Sequence, residues 1–142
     1  MDPHELSCAI LADRNFGFAE GVRGLLEAVF ETVYVVADLD TLNEGAQRLR
    51  PTLVALDVSL AGSGLGASLA AIRERSPATR VLLLSVHDQR SIADLALSAG
   101  ANGIVLKRCA GTDFLAAVDA VTRGEAYISP DFGPAEPFVE AP

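Results

Sequence analysis

An α/β fold, five parallel strands alternating with helices, is what this sequence predicts. Three observations carry the prediction. First, five short apolar runs, at residues 7–12, 33–37, 52–56, 81–84 and 103–106, are rich in Val, Leu and Ile. None alternates cleanly with polar residues, which is the pattern of strands covered on both faces. Second, the segments between and after them carry apolar residues at helical spacing. Third, helix-ending residues stand where those segments stop. Five consecutive strand–helix units imply right-handed crossovers and a doubly wound sheet.

The helical stripes run in order. Phe18, Val22, Leu25 and Val29 form the first, and Leu39, Leu42, Ala46 and Leu49 the second. Leu65, Leu69 and Ile72 form the third, and Ile92, Leu95, Ala96 and Ala99 the fourth. Phe114, Leu115, Val118 and Val121 form the fifth. Each reads as core packing. Thr41 and Glu44 have capping-box spacing at the second helix. Pro51 and Pro77 follow the second and third helices, and Gly100 and Gly124 the fourth and fifth. Residues 1–128 therefore read as one domain. Residues 129–142 hold Pro130, Gly133, Pro134, Pro137 and Pro142 without periodicity and read as a linker or frayed tail.

Composition narrows the function classes. The 142 residues are half apolar and 21% charged, a globular balance that suits one domain. The net charge of −8, without any Lys/Arg cluster, argues against nucleic-acid binding by these residues alone. Cys8 and Cys109 form no ligand-like cluster, and reduced thiols in a cytoplasmic protein are the expectation. Neither a signal peptide nor a membrane span is visible. Of the two histidines, His4 is expected to be solvated and His87 to be a loop residue at the edge of the site. The glycine run at 62–66 lacks the Lys-Ser/Thr pair of a phosphate-binding loop.

In an open α/β sheet, ligands bind beyond the carboxyl ends of the strands. Strand one runs into Asp13, strand three into Asp57, strand four into Ser85 and strand five into Lys107. With strand order 2-1-3-4-5, all four converge on one crevice. The set has one coherent use. Two carboxylates can hold Mg²⁺, which prefers oxygen ligands and keeps several waters. The metal and Lys107 can neutralise a transferring phosphoryl group, to which the Ser85 hydroxyl can donate.

At this point the sequence resembles a known family. Ala9-Ile-Leu-Ala-Asp13, Glu20-Gly-Val-Arg-Gly-Leu-Leu26, Pro51-Thr-Leu-Val-Ala-Leu-Asp57-Val-Ser-Leu, Val81-Leu-Leu-Leu-Ser85, Ala99-Gly-Ala-Asn-Gly-Ile-Val-Leu-Lys107 and Arg123-Gly-Glu-Ala-Tyr-Ile-Ser-Pro130 carry the resemblance. Together they are similar to the receiver domains of two-component response regulators, in the LuxR-type (NarL/FixJ-like) subfamily. The resemblance implies a flavodoxin-like receiver fold and a protein that is not an enzyme beyond its own phosphorylation and slow dephosphorylation. It implies that Asp57 accepts phosphate from a sensor histidine kinase. It also implies Mg²⁺ held by Asp13, Asp57 and the Ser59 backbone carbonyl, with Ser85 and Lys107 binding the phosphoryl group. A change relayed through the fourth helix, fifth strand and fifth helix would then alter a protein interface, such as a homodimer contact. DNA would be contacted only through a further helix-turn-helix domain.

Three positions depart from the family pattern. Arg14 stands where a second acid usually follows the first, Ile104 where a switch aromatic stands, and Ala61 where a proline is frequent. With Arg14, the charges of Asp13, Arg14, Asp57 and Lys107 sum to zero. An inward guanidinium beside a divalent ion would cost on the order of 10 kcal/mol as an upper bound. Two readings of Arg14 follow: it points to solvent and is tolerated, or it pairs with Asp57 and replaces the metal. The first is the expectation, because arginine reaches water easily. Ile104 reads as a buried strand residue. The sequence also allows two other functions: a degenerate, phosphorylation-independent receiver acting as an interaction module, and a flavodoxin-like cofactor binder. The second is disfavoured by Asp13 where a cofactor phosphate would sit.

Overall fold

The computed structural model describes residues 8–134. His4, Pro137 and Pro142, for which the sequence carries expectations, lie outside them. The strands are β1 (Cys8–Ala12), β2 (Thr32–Val36), β3 (Leu53–Asp57), β4 (Arg80–Ser85), β5 (Gly103–Leu106) and β6 (Tyr127–Ile128). They form one parallel sheet in the order 2-1-3-4-5-6. The five expected strands are present in the expected order, and β6 adds a two-residue sixth beside β5. The helices are α1 (Phe16–Glu27), α2 (Leu39–Leu49), α3 (Val58–Ala61), α4 (Leu65–Arg75), α5 (Arg90–Ser98) and α6 (Ala110–Thr122). A 3₁₀ turn, Lys107–Cys109, joins β5 to α6.

Two apolar layers sandwich the sheet. Alternate strand residues point to opposite faces. Leu11, Ala55, Leu84 and Val105 therefore join Val22, Leu26, Phe114 and Val118 of α1 and α6. Ile10, Leu56, Leu83 and Ile104 join Leu42, Leu69, Ile72, Ala93 and Ala96 of α2, α4 and α5. β3, β4 and β5 are buried along nearly their whole length, as continuous apolar runs require.

Several local expectations need correction. β2 is an edge strand with Tyr34 44% and Val35 38% exposed, so it is not covered on both faces. The N-cap of α2 is Asp38, whose side chain accepts the Thr41 N–H, so Thr41 lies inside the helix. In α5 the core-facing residues are Ala93 and Ala96, while Leu95 is 61% exposed. Leu115 of α6 also faces outward. Gly100 and Gly124 end their helices at φ 107° and 86°, the left-handed conformation that glycine adopts at little cost.

Residues 129–134, read from composition as the start of a linker, pack on the body of the domain, with Ser129 and Phe132 buried. Gly103 is what lets β6 approach. A Cβ there would lie 2.9 Å from the Tyr127 carbonyl oxygen, 3.0 Å from Val121 and 3.1 Å from Leu82. Gly103→Ala is expected to lower stability by about 1–3 kcal/mol through overpacking. Urea denaturation checks this, and an unchanged midpoint would mean that β6 gives way freely.

Candidate functional site

Strand register builds the site. Ala12 pairs with Leu56, so Asp13 and Asp57 emerge side by side at the next step of neighbouring strands. Ser85 pairs with Leu106, so Lys107 follows one residue beyond. Neighbouring strands are about 4.8 Å apart, which sets Asp13 beside Asp57, while Lys107, two strands from β3 and three from β1, reaches both with its long side chain.

The contacts are direct. Lys107 Nζ lies 2.7 Å from Asp13 Oδ2 and 3.3 Å from Asp57 Oδ2. All three side chains are almost enclosed, with 11%, 0% and 10% of their surfaces exposed. The ammonium sits 4.7 Å from the centroid of the Phe18 ring, which places its charge over an aromatic face. Asp13 Oδ1 accepts the Asn15 N–H at 2.8 Å, and the Asn15 side chain in turn caps α1 by accepting the Phe18 N–H. One chain of contacts therefore fixes both the first carboxylate and the ring beneath the ammonium.

Asp57 is held by the turn it starts. Its Oδ1 accepts the Ser59 N–H at 3.1 Å and its Oδ2 accepts the Ser59 hydroxyl at 2.7 Å. An Asp followed two residues later by Ser is a pattern in which side chain and backbone bond locally. It starts the short helix α3 and keeps the carboxylate at the end of β3. That hydroxyl contact is absent from the sequence reading, which assigned Ser59 only through its carbonyl.

Ser85 is buried, and its hydroxyl is engaged by the following loop. Oγ donates to the His87 carbonyl at 2.8 Å and accepts the His87 N–H at 3.0 Å. Ser85 and Asp57 border one cavity of about 300 Å³, with Ser59, Leu65, His87 and Ile92 also on its wall. His87 thus takes part through its backbone, while its side chain faces solvent. Ile104 is fully buried in the layer under α5.

Arg14 is exposed and borders a shallow groove with Ala37, Asp38, Leu39, Asp40 and Leu60. The cation on Asp57 is Lys107. The two readings of Arg14 therefore divide in favour of the one in which it points to solvent.

The donors present suit a hard cation. Asp13 Oδ2 is buried and accepts no hydrogen bond of good geometry, although the ammonium lies beside it. Among the described residues no group of three or more His, Cys, Asp or Glu side chains gathers anywhere. A site of three or four such side chains, of the kind structural Zn²⁺ takes, is therefore missing from them. Mg²⁺, which is held by one or two carboxylates and keeps its waters, fits Asp13 and Asp57.

A parallel sheet of this order carries two carboxylates, a lysine and a serine at the ends of β1, β3, β5 and β4. The chain belongs to the response regulator receiver domain family, whose model matches residues 9–119. Its relatives are LuxR/NarL-type regulators of two-component systems. It is 31% identical over 133 residues to the transcriptional regulatory protein DegU of Brevibacillus brevis, covering 92% of this chain and 56% of that protein. It is 32% identical over 127 residues to the probable transcriptional regulatory protein NarL of Mycobacterium tuberculosis, covering 85% and 57%. A LuxR-family response regulator from Aurantimonas sp. SI85-9A1 superposes with a TM-score of 0.80 at 28% identity, over 89% of this chain and 91% of that one. The chain thus spans little more than half the length of these two curated relatives. Among the described residues no helix is long and apolar enough to cross a membrane.

Proposed function

We propose that this domain is a phosphorylatable receiver in which Asp57 takes a phosphoryl group from a phosphohistidine of a sensor kinase. The observation that carries the reading is the bridging of Asp13 and Asp57 by one ammonium, Lys107, in a nearly enclosed site. A buried cluster of this kind is costly unless its charges are paired. Its placement beyond the carboxyl ends of the strands is where an open α/β sheet takes its ligands.

The chemistry follows from the residues. One Asp57 oxygen attacks phosphorus, the P–N bond of the phosphohistidine breaks, and the imidazole leaves with its electron pair and takes up a proton. Lys107 stays beside the new acyl phosphate and balances its charge. Ser59 holds the carboxylate in position, and Ser85 has a hydroxyl to offer a phosphoryl oxygen. Mg²⁺ held by Asp13, Asp57 and the Ser59 carbonyl would supply further neutralisation of the transferring group. Phosphorylation then alters a protein interface, such as a homodimer contact. The setting is the cytoplasm, and control of transcription would pass through a DNA-binding domain beyond these residues. Turnover of an external substrate is not part of this role.

Incubation with acetyl phosphate and Mg²⁺ tests the proposal. The intact protein should gain the mass of one phosphoryl group, and Asp57→Asn should gain none. A wild-type protein that stays unmodified while folded would mean a receiver acting as a phosphorylation-independent interaction module.

Arg14 sets how tightly the metal is held. A change of two charge units about 10 Å from a divalent ion is worth roughly 1.7 kcal/mol in water, or about twentyfold in affinity. Arg14→Glu is therefore expected to tighten Mg²⁺ by up to about twentyfold at low ionic strength, and less in physiological salt. Calorimetric titration at two salt concentrations checks both size and direction.

A further inference from the structure

The chain returns to the site after α6. Following β6, the Ser129 N–H donates to the Ile104 carbonyl at 3.0 Å, and the Ser129 hydroxyl accepts the Leu106 N–H at 3.1 Å. Phe132, only 4% exposed, joins the apolar cluster that contains Ala93 and Ala96 of α5 and Ile104 and Leu106 of β5. The Gly133 N–H then donates to the Asp88 carbonyl at 3.1 Å. Asp88 stands in the loop between β4 and α5, and its carboxylate pairs with Arg108, the neighbour of Lys107, at 3.2 Å.

That loop is the one Ser85 holds. Its hydroxyl bonds both the N–H and the carbonyl of His87. Only Val86 and His87 separate Ser85, which borders the Asp57 cavity, from Asp88, whose carbonyl receives Gly133.

We propose that residues 127–134 form a strap latched through Ser85, so that the position of this hydroxyl decides whether the strap is docked. With Oγ on His87, the loop presents the Asp88 carbonyl to Gly133, and Phe132 stays between α5 and β5. When Oγ turns to a phosphoryl oxygen on Asp57, the His87 bonds are lost, Asp88 shifts, and the strap loosens. The phosphoryl half rests on Asp57 being the phosphoacceptor. The latch itself, from Ser85 through His87 and Asp88 to Gly133, needs no phosphate. Coupling between two sites is reciprocal, so releasing the strap favours a phosphoryl group at Asp57.

Amide hydrogen exchange on the 142-residue chain tests the latch directly. The loss of a single hydrogen bond corresponds to about fivefold in a local opening equilibrium. Ser85→Ala should therefore speed exchange at the Gly133 amide about fivefold, and Phe132→Ala should do the same at the His87 amide. The Arg50 amide, which bonds the Ala46 carbonyl at the end of α2, should keep its rate in both. A Gly133 rate that is unchanged in Ser85→Ala overturns the latch. In the second arm, beryllium fluoride with Mg²⁺ stands in for the phosphoryl group. Loading should expose the Gly133 amide, and Phe132→Ala should bind the analogue about fivefold more tightly. Loading without an effect at Gly133 overturns the coupling. Failure to load at all counts against Asp57 as phosphoacceptor, and the Ser85→Ala result still decides the latch.

Discussion

Lys107→Met is expected to destabilise the fold by about 3–5 kcal/mol, because it removes the cation from two enclosed carboxylates. The methionine keeps an apolar stem beside Phe18, so lost packing is a small part of the effect. What remains is Asp13, with its side chain fully buried, next to Asp57, with 10% of its side chain exposed, and no positive charge between them. A divalent cation can take the role of the ammonium. The variant should therefore unfold at markedly lower urea than the parent, and Mg²⁺ should restore more stability to it than to the parent. Urea titrations with and without the metal measure both. An unchanged midpoint would show that the carboxylates do not depend on Lys107.

Asp13→Asn is expected to slow labelling of Asp57 by acetyl phosphate by about a hundredfold or more. A unit charge ~4 Å from a divalent ion at an effective dielectric of ~20 is worth roughly 8 kcal/mol as an upper bound. A third of that is already a hundredfold in affinity. The fold should tolerate the change, since Lys107 keeps Asp57 as a partner and the asparagine oxygen can still accept the Asn15 N–H. The slowing should be partly recovered by raising Mg²⁺. Mass spectra taken over time at several Mg²⁺ concentrations give the rate, and labelling at the parent's rate would remove Asp13 from the metal set.

The site's charged groups were legible in the sequence because each stands at the end, or one step past the end, of a strand that its own composition reveals. Asp57 and Lys107 follow apolar runs that are strands almost residue for residue, so their meeting is a consequence of topology. The groups that position them were not legible. Phe18 reads as one more apolar residue of α1, and nothing in a helical stripe tells which ring turns back over a lysine 89 residues away in the chain. Ser59 could have been found, since Asp57-Val-Ser59 has the spacing of a local side-chain turn. β2 was misjudged because an apolar run does not reveal whether its strand is central or at an edge. The strap was missed for a different reason. Residues 129–134 have the proline and glycine content of a linker, and their attachment rests on one buried ring and a few backbone hydrogen bonds, which leave no periodic trace.

Borohydride reduction of the protein after treatment with acetyl phosphate addresses the phosphoacceptor itself. Hydride converts an acyl-phosphorylated aspartate to homoserine and leaves free carboxylates unchanged, so peptide sequencing reads the modified position. Homoserine at position 57, appearing only in the treated sample, is the predicted result. Homoserine at position 13, or at neither position in a protein that has taken up phosphate, would contradict it.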